Sequence, residues 1–319
     1  MTARENMIQT IKRRTPKWIP YRYDGTLVLL ASDFICVRPK QGGYDDWNVK
    51  WLYTNEKEGS YPEGSPVIDI ENIDRLKIPD TDWDSVSADI SEKVRNLEGK
   101  DVLPVAYNEL ALFERVQLLL GFEGFMITLH DARKELDKLI DKIFVYNMKL
   151  TKCLLGSGVS GIRFTDDWGM QDRLFISPED WRFFFKERYR LLYDTVKKYG
   201  AFVFQHSCGC IESIMNDIVE LGIDVLDPCQ PSANDIFTLK KEYGNKLSFM
   251  GGLDTQTYLT FGSAEEVYQE TLKVLEIMSQ GGGYIAAPSH TITIPEKNRE
   301  AMLRAINDYN SLIRNSENG

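Results

Sequence analysis

The chain has 319 residues, and its 38 Lys and Arg against 48 Asp and Glu give a formal net charge of −10. This acidic balance argues against a nucleic-acid partner, because nucleic-acid-binding proteins normally carry a basic face. The first twenty residues lack the apolar core of an export signal, and no stretch approaches the roughly 20 apolar residues of a membrane span. The five cysteines are an odd set, which favours thiols or metal ligands over disulfides. We therefore expect a cytoplasmic protein with no membrane partner.

Taken in chain order, the predicted elements change character at about residue 100. Residues 1–100 are rich in turn signals and in Gly, Asp, Trp and Tyr, which predicts an irregular N-terminal cap segment. Residues 101–319 alternate short apolar runs with segments of helical periodicity, which predicts βα units in one domain with the cap packed on them. The predicted strands cover residues 101–107, 124–129, 161–164, 201–206, 224–227, 247–252 and 284–288. The predicted helices cover residues 131–155, 178–199, 211–221, 235–244, 264–279 and 295–313.

This alternation also predicts the fold class. Strands that are apolar on both faces and alternate with helices are typical of a parallel sheet covered by helices. Seven or eight such units close most naturally into a (β/α)₈ TIM barrel, so we predict an α/β fold of this class. The eighth strand would come from the N-terminal part or from an ambiguous run. In such barrels the functional side chains gather at the carboxyl ends of the strands.

A candidate metal site follows two of the predicted strands. His206 and Cys208 are two residues apart in extended chain, so their side chains point the same way. His290 follows the last predicted strand and would add a third ligand. Three protein ligands with one open position are typical of a catalytic zinc. The alternative for Cys208 is a structural role, since free cysteines are commonly buried.

Carboxylates also follow several of the predicted strands. Asp166 and Asp167 come directly after one strand and are predicted to act as catalytic acid or base, with Asp166 nearer the strand end. Asp227 and Asp254 occupy similar positions and are predicted to bind substrate, unless they cap a turn or helix. Glu114 is a further candidate ligand, although a solvated helix start is the commoner role for such a residue.

Aromatic side chains are predicted to border the barrel mouth. Trp168 and Gln171 follow the paired carboxylates, and Trp47, Trp51 and Tyr44 lie close together in the cap. We predict that Trp168, Gln171 and Trp47 contact the substrate. The alternative for the aromatic residues is packing between cap and barrel.

Several motifs together resemble a known family. In order, they are HSCG (206–209), LDPCQPSA (226–233), FMGGLDTQ (249–256) and GGGYIAAPSH (281–290). With TDDWGMQ and YDDWNVKW, they are similar to the uroporphyrinogen decarboxylase superfamily, in the branch that contains corrinoid-dependent methyltransferases. The resemblance covers roughly residues 105–313 and implies a (β/α)₈ barrel. The N-terminal segment RRTPKWIPYRYDG does not show the arginine-containing motif of the decarboxylase proper.

The resemblance implies zinc held by a His-x-Cys pair and a later Cys, and methyl transfer to or from a corrinoid protein. His206 and Cys208 match the pair, and the place of the later cysteine falls on His290. A His₂Cys set carries one negative charge fewer than a HisCys₂ set, which leaves zinc more electrophilic and suits an oxygen ligand. We therefore expect a zinc-dependent methyltransferase that moves a methyl group from a small methoxylated compound to the corrinoid of a separate partner protein. An aromatic donor would suit the Trp side chains predicted at the mouth.

Three alternatives remain open from the sequence. The first is a methylcobalamin:thiol methyltransferase, in which the same zinc lowers the pKa of an accepting thiol. The second is a decarboxylase-like enzyme, which predicts a pocket with several Arg and no metal. The third is a ligand-binding barrel without catalysis.

Overall fold

The structure, a computed structural model, describes residues 1–56, 59–290 and 292–316. The strands within these ranges are β1 (Leu27–Leu30), β2 (Gly43–Tyr44), β3 (Lys50–Asn55), β4 (Gly59–Pro62), β5 (Leu103–Asn108), β6 (Gly161–Thr165), β7 (Phe202–His206), β8 (Val225–Asp227), β9 (Ser248–Leu253) and β10 (Tyr284–Pro288). The helices are α1 (Ala3–Ile11), α2 (Trp83–Arg95), α3 (Phe113–Leu120), α4 (Phe122–Asp131), α5 (Arg133–Gly156), α6 (Pro178–Trp181), α7 (Glu187–Lys198), α8 (Met215–Glu220), α9 (Ile236–Tyr243), α10 (Tyr258–Phe261), α11 (Ala264–Met278) and α12 (Glu296–Ser316). Among the described residues, no helix is long and apolar enough to cross a membrane.

The main layer is a parallel sheet of seven strands in the order β1-β5-β6-β7-β8-β9-β10. Consecutive strands from β5 onward are neighbours and are joined through helices, so the predicted βα alternation is confirmed. Six of the seven predicted strands belong to this sheet. The predicted helices are also present, and α11 begins as expected where the Ser263 side chain accepts the backbone N–H of Glu266.

One predicted strand, residues 124–129, is wrong. This segment lies inside helix α4, which begins after Gly121 at a positive φ of 68°. The apolar run GFMITL gives no clear periodicity over six residues, and a short buried helix cannot be told from a strand on that basis. Phe125 and Leu129 are buried four residues apart, which is the helical spacing that the longer segment reveals.

The main sheet has seven strands among the described residues, rather than the eight of the predicted barrel. Beyond β10, Tyr21 makes a single parallel bridge to Ala286. Leu27 of β1 and Ile285 of β10, from the two edge strands, share one buried cluster, so the sheet is curled. The predicted cap segment, residues 1–100, thus supplies β1 to the main sheet.

Helix α1 covers the end of the curled sheet where the strands begin. Met7 and Ile11 belong to the same buried cluster as Leu27 and Ile285. The Ser248 hydroxyl, at the start of β9, donates to the backbone carbonyl of Ile11 at 3.0 Å. This end is therefore filled by apolar side chains, and the carboxyl ends of the strands remain for chemistry.

The small antiparallel sheet β2-β3-β4 forms the core of the cap. Trp47, in the turn before β3, packs edge-on against Tyr146 of α5 with ring centroids 5.1 Å apart. Arg115 of α3 and Asp45 form an ion pair of 2.6 Å, and both side chains are almost fully buried. The cap is therefore joined to the helical layer by packing and by a buried charge pair.

Candidate functional site

Three potential metal ligands meet at the carboxyl ends of β6 and β7. Parallel pairing sets Thr165 beside His206, so Asp167 and Cys208, two residues further along each segment, are also brought together. His206 Nε2 lies 3.5 Å from Asp167 Oδ1 and 3.5 Å from Cys208 Sγ. All three ligand atoms lie within 4.8 Å of one another.

The donor set and its spacing fit a zinc ion. Cysteine sulfur, imidazole nitrogen and carboxylate oxygen are the zinc ligands found in proteins, at metal–ligand distances of about 2.0–2.3 Å. In a tetrahedron, those bond lengths separate neighbouring ligand atoms by roughly 3.3–3.7 Å. The two separations of 3.5 Å around His206 Nε2 agree with this value. The His206 and Asp167 side chains are 22% and 35% exposed, which leaves a solvent-facing side for a fourth ligand.

The thiol of Cys208 is partly buried and has negatively charged carboxylates nearby. Burial raises the pKa of this thiol, and the nearby carboxylates of Asp167 and Asp227 raise it further. The nearby carboxylates also favour the binding of a cation. A bound metal would deprotonate the coordinating thiol despite its raised pKa. Asp167 Oδ1 accepts a hydrogen bond from the backbone N–H of Cys208 at 2.8 Å, which fixes its position beside the thiol.

Glu114, in the first turn of α3, faces the same cluster. Burial raises the pKa of its carboxyl group well above the usual range, and the charges of Asp167 and Asp166 raise it further. Sequence reasoning treated a solvated helix start as the commoner role for this residue. In the structure Glu114 is instead partly buried, and its charge is felt at the Cys208 thiol.

The buried carboxylate of Asp227 contacts the Nδ1 side of the His206 ring, opposite the Nε2 atom that faces Asp167. Its Nδ1 atom lies 2.8 Å from Asp227 Oδ1. Arg163 donates from Nε and Nη2 to the two oxygens of Asp227, at 2.8 and 3.0 Å. Burial by itself would raise the pKa of Asp227, but the guanidinium charge of Arg163 and the hydrogen bonds with His206 and Arg163 hold it at about 2. Asp227 is therefore ionised, and its position argues for orienting His206 rather than for direct contact with substrate.

Asp166 does not face this cluster. Its Oδ2 accepts the backbone N–H groups of Leu112 and Phe113, and its Oδ1 accepts that of Glu114. The Tyr189 hydroxyl also donates to Oδ2 at 2.5 Å. Asp166 is fully buried, so the structure places it as a cap on the start of α3, whereas the sequence favoured it over Asp167 for chemistry.

Three of the five side chains predicted to bind substrate, Trp168, Gln171 and Trp47, lie in protein contacts. Trp168 is 1% exposed and donates from Nε1 to the Tyr189 hydroxyl at 2.9 Å. Gln171 is exposed and donates to the backbone carbonyl of Ser232 at 2.6 Å. Trp47 is 4% exposed and packs between cap and helical layer. For both tryptophans the structure favours the packing alternative.

Asp254 and His290 stand at other strand ends. Asp254 Oδ1 accepts the backbone N–H of Gln256, and its Oδ2 accepts the Thr257 hydroxyl, both at 2.8 Å. This is the arrangement of a turn cap. His290 is exposed and lines a separate cavity of about 810 Å³ beside α12. The structure therefore does not bring His290 to the pair, and the third potential ligand beside His206 and Cys208 is Asp167.

Arg163 is the residue of this site that sequence reasoning missed. It lies in β6 within the run GIRF, and its guanidinium carbon is 5.3 Å from the ring centroid of Tyr107 on β5. A charged residue inside an otherwise apolar strand is unusual unless it is paired. That signal was available from the sequence.

Comparisons with known proteins agree with this fold. The family model for uroporphyrinogen decarboxylase (URO-D) matches residues 52–309. The chain therefore belongs to the uroporphyrinogen decarboxylase family. No curated protein matches it.

Among solved structures, a methyltransferase from Methanosarcina mazei is similar with a TM-score of 0.74 and 16% identity, covering 97% of this chain and 99% of that chain. At this identity the match describes the fold alone. A 3-keto-D-glucoside 4-epimerase from E. coli is similar at a TM-score of 0.43 and 14% identity, over 77% of this chain and 95% of that chain. That score is too low to bear on fold or function.

Proposed function

We propose that this protein is a zinc-dependent methyltransferase, and that Asp167, His206 and Cys208 hold the metal. The observation that carries the proposal is the convergence of these three ligand atoms within 4.8 Å at the carboxyl ends of β6 and β7, where all three residues are partly exposed. Membership of the uroporphyrinogen decarboxylase family and the fold shared with a methyltransferase support it. The remaining strand of a (β/α)₈ barrel would come from the segment at Tyr21, which bridges to Ala286.

In the proposed reaction the methyl C–O bond of a small methoxylated compound breaks, and the methyl group bonds to the cobalt(I) of a corrinoid on a separate partner protein. The departing oxygen takes up a proton and leaves as the alcohol or phenol. When bound, zinc supplies a Lewis acid with an open position for the ether oxygen. His206 at the end of β7, Cys208 two residues later and Asp167 in the loop after β6 would hold the ion from the protein side, and substrate would enter from the solvent side. Asp227 keeps His206 in place through its Nδ1 atom.

The donor set changes one part of the expected electrostatics. The carboxylate of Asp167 in place of His290 restores the negative charge that the predicted His₂Cys ligand set lacked. The summed charge of the ligands therefore no longer predicts a more electrophilic zinc. Carboxylate oxygen is nevertheless a harder ligand than a second thiolate, and harder ligands accompany oxygen chemistry at metals. The preference for an oxygen-bound methyl group therefore rests on Asp167.

The charge balance of the site favours methyl transfer over decarboxylation of a polycarboxylate. Burial raises the pKa of the Cys208 thiol, and the negative charges of Asp167, Asp227 and Glu114 raise it further. The guanidinium group of Arg163 is engaged by Asp227 through two hydrogen bonds. A pocket for several substrate carboxylates would need an excess of cations, and the clustered carboxylates of this site would oppose such a substrate.

The test compares ligand variants of the full chain. Purified wild-type protein is expected to bind about one zinc, and Asp167→Ala to weaken binding by more than about 100-fold, because loss of an outer partner alone costs roughly 10–100-fold. His290→Ala is the matched control and should keep its zinc. Methyl transfer to cob(I)alamin from methoxylated compounds should follow zinc content. Full zinc binding by Asp167→Ala, or a folded wild-type protein indifferent to zinc, would overturn the proposal.

A further inference from the structure

Two groups compete for one nitrogen of His206. Nδ1 lies 2.8 Å from Asp227 Oδ1, which only accepts, and 2.8 Å from Arg163 Nη2, which only donates. A neutral imidazole carries one proton, so Nδ1 can satisfy one of these neighbours and not both. The choice fixes the other ring nitrogen, Nε2, as either a lone pair or an N–H group.

This choice decides whether the cluster can take a cation. Nε2 is the atom that faces Asp167 Oδ1 and Cys208 Sγ, each at 3.5 Å. With the proton on Nδ1, a lone pair points at the other two ligand atoms. With the proton on Nε2, His206 would donate to Asp167 and could not bind a metal.

Three observations favour the proton on Nδ1. An N–H group that donates to an ionised carboxylate forms a charge-assisted bond, about twice as strong as a neutral one. The opposite tautomer would set the Nδ1 lone pair against a carboxylate oxygen at 2.8 Å, with the Asp227 side chain only 4% exposed. Arg163 already uses Nε and Nη2 on the two oxygens of Asp227, so it does not need Nδ1 as an acceptor.

Resting on the proposed function, we infer that Asp227 is a positioning residue that fixes His206 in the Nδ1–H tautomer, and that Arg163 clamps Asp227 for this task. The bidentate guanidinium holds both carboxylate oxygens in one plane, so Oδ1 stays aimed at Nδ1. The guanidinium group of Arg163 packs over the ring of Tyr107, with its carbon 5.3 Å from the ring centroid, and this contact restricts its movement. The lone pair of Nε2 therefore faces Asp167 Oδ1 and Cys208 Sγ even when no ion is bound.

The experiment reads the tautomer directly, without metal. The chain has three histidines, so labelling with ¹⁵N-histidine gives three imidazole spin systems, and His206→Gln assigns one of them. In metal-free wild-type protein, at a pH where this ring is neutral, the proton should sit on Nδ1. Asp227→Asn should move it toward Nε2, because an amide N–H can donate to Nδ1. The same variant should raise the zinc dissociation constant roughly 10–100-fold.

Asp217→Asn is the matched control. Asp217 is also buried and also accepts from Nε and Nη2 of an arginine, Arg182, but it lies on the helical layer. It should leave both the tautomer and the zinc affinity of the protein unchanged. An Nε2–H tautomer in the wild type, or an unchanged tautomer in Asp227→Asn, would overturn the inference.

The outcome also separates this inference from the proposed function. An Nδ1–H tautomer that depends on Asp227, in a protein that binds no zinc, would uphold the positioning role and defeat the zinc proposal. Tight zinc binding with an Nε2–H tautomer in the metal-free protein would do the reverse.

Discussion

Replacing Asp166 by alanine should cost this protein a large part of its stability. The carboxylate accepts three backbone N–H groups at the start of α3 and the hydroxyl of Tyr189. It is fully buried, so water cannot replace it without rearrangement. The substitution would leave all four donors without their acceptor.

The magnitude follows from the number of stranded donors. A buried donor left without a partner costs about 1–3 kcal/mol, and some of that is recovered by relaxation. Three backbone groups at this cost predict a loss of about 3–9 kcal/mol in the free energy of unfolding before relaxation. Folded domains have only about 5–15 kcal/mol in total, so Asp166→Ala should lower the urea midpoint severely.

Asp82→Ala provides the comparison. Asp82 caps α2 by accepting the backbone N–H of Ser85 at 3.1 Å, and this cap is exposed to solvent. Its loss should cost about 1 kcal/mol, the usual value for a helix cap. Urea unfolding of both variants, followed by tryptophan fluorescence, measures the difference. A smaller loss for Asp166→Ala than for Asp82→Ala would refute the assignment of Asp166 as a buried cap.

Two further predictions concern the stability of the fold. Burial lowers the pKa of Lys240 to about 8 from its ordinary 10.5, so the unfolded chain binds more protons between these values and stability should rise with pH across that window. Lys240→Met should remove up to about 3 kcal/mol of this rise in pH-dependent unfolding, and an unchanged slope would contradict it. Gly251 has φ +118°, and a Cβ there would lie 1.7 Å from a backbone carbonyl oxygen. Gly251→Ala should therefore lower the melting temperature far more than Gly25→Ala, where φ is +88° and no atom lies within 4 Å; equal melting temperatures would disprove the clash.

The sequence already carried much of the fold, because the signals involved are local. Apolar runs alternating with amphipathic helices identified six of the strands in the parallel sheet, and hydroxyl caps such as Ser263 located helix starts. The spacing of His206 and Cys208 put imidazole and thiol on one face of extended chain, where the structure has them 3.5 Å apart. The error at residues 124–129 arose where six apolar residues fit either period.

Tertiary structure decided which residue is the third candidate ligand of the proposed metal site. Asp167 and His290 both follow strands of the same parallel sheet, and nothing in their local sequence ranks one above the other. The order of the strands separates them, because β6 is hydrogen-bonded directly to β7, whereas β10 is not a neighbour of β7. The roles of Asp166 and Asp167 were separated in the same way. Neighbouring residues at a strand end point to opposite sides, so one carboxylate turned inward to cap α3 and the other faced His206.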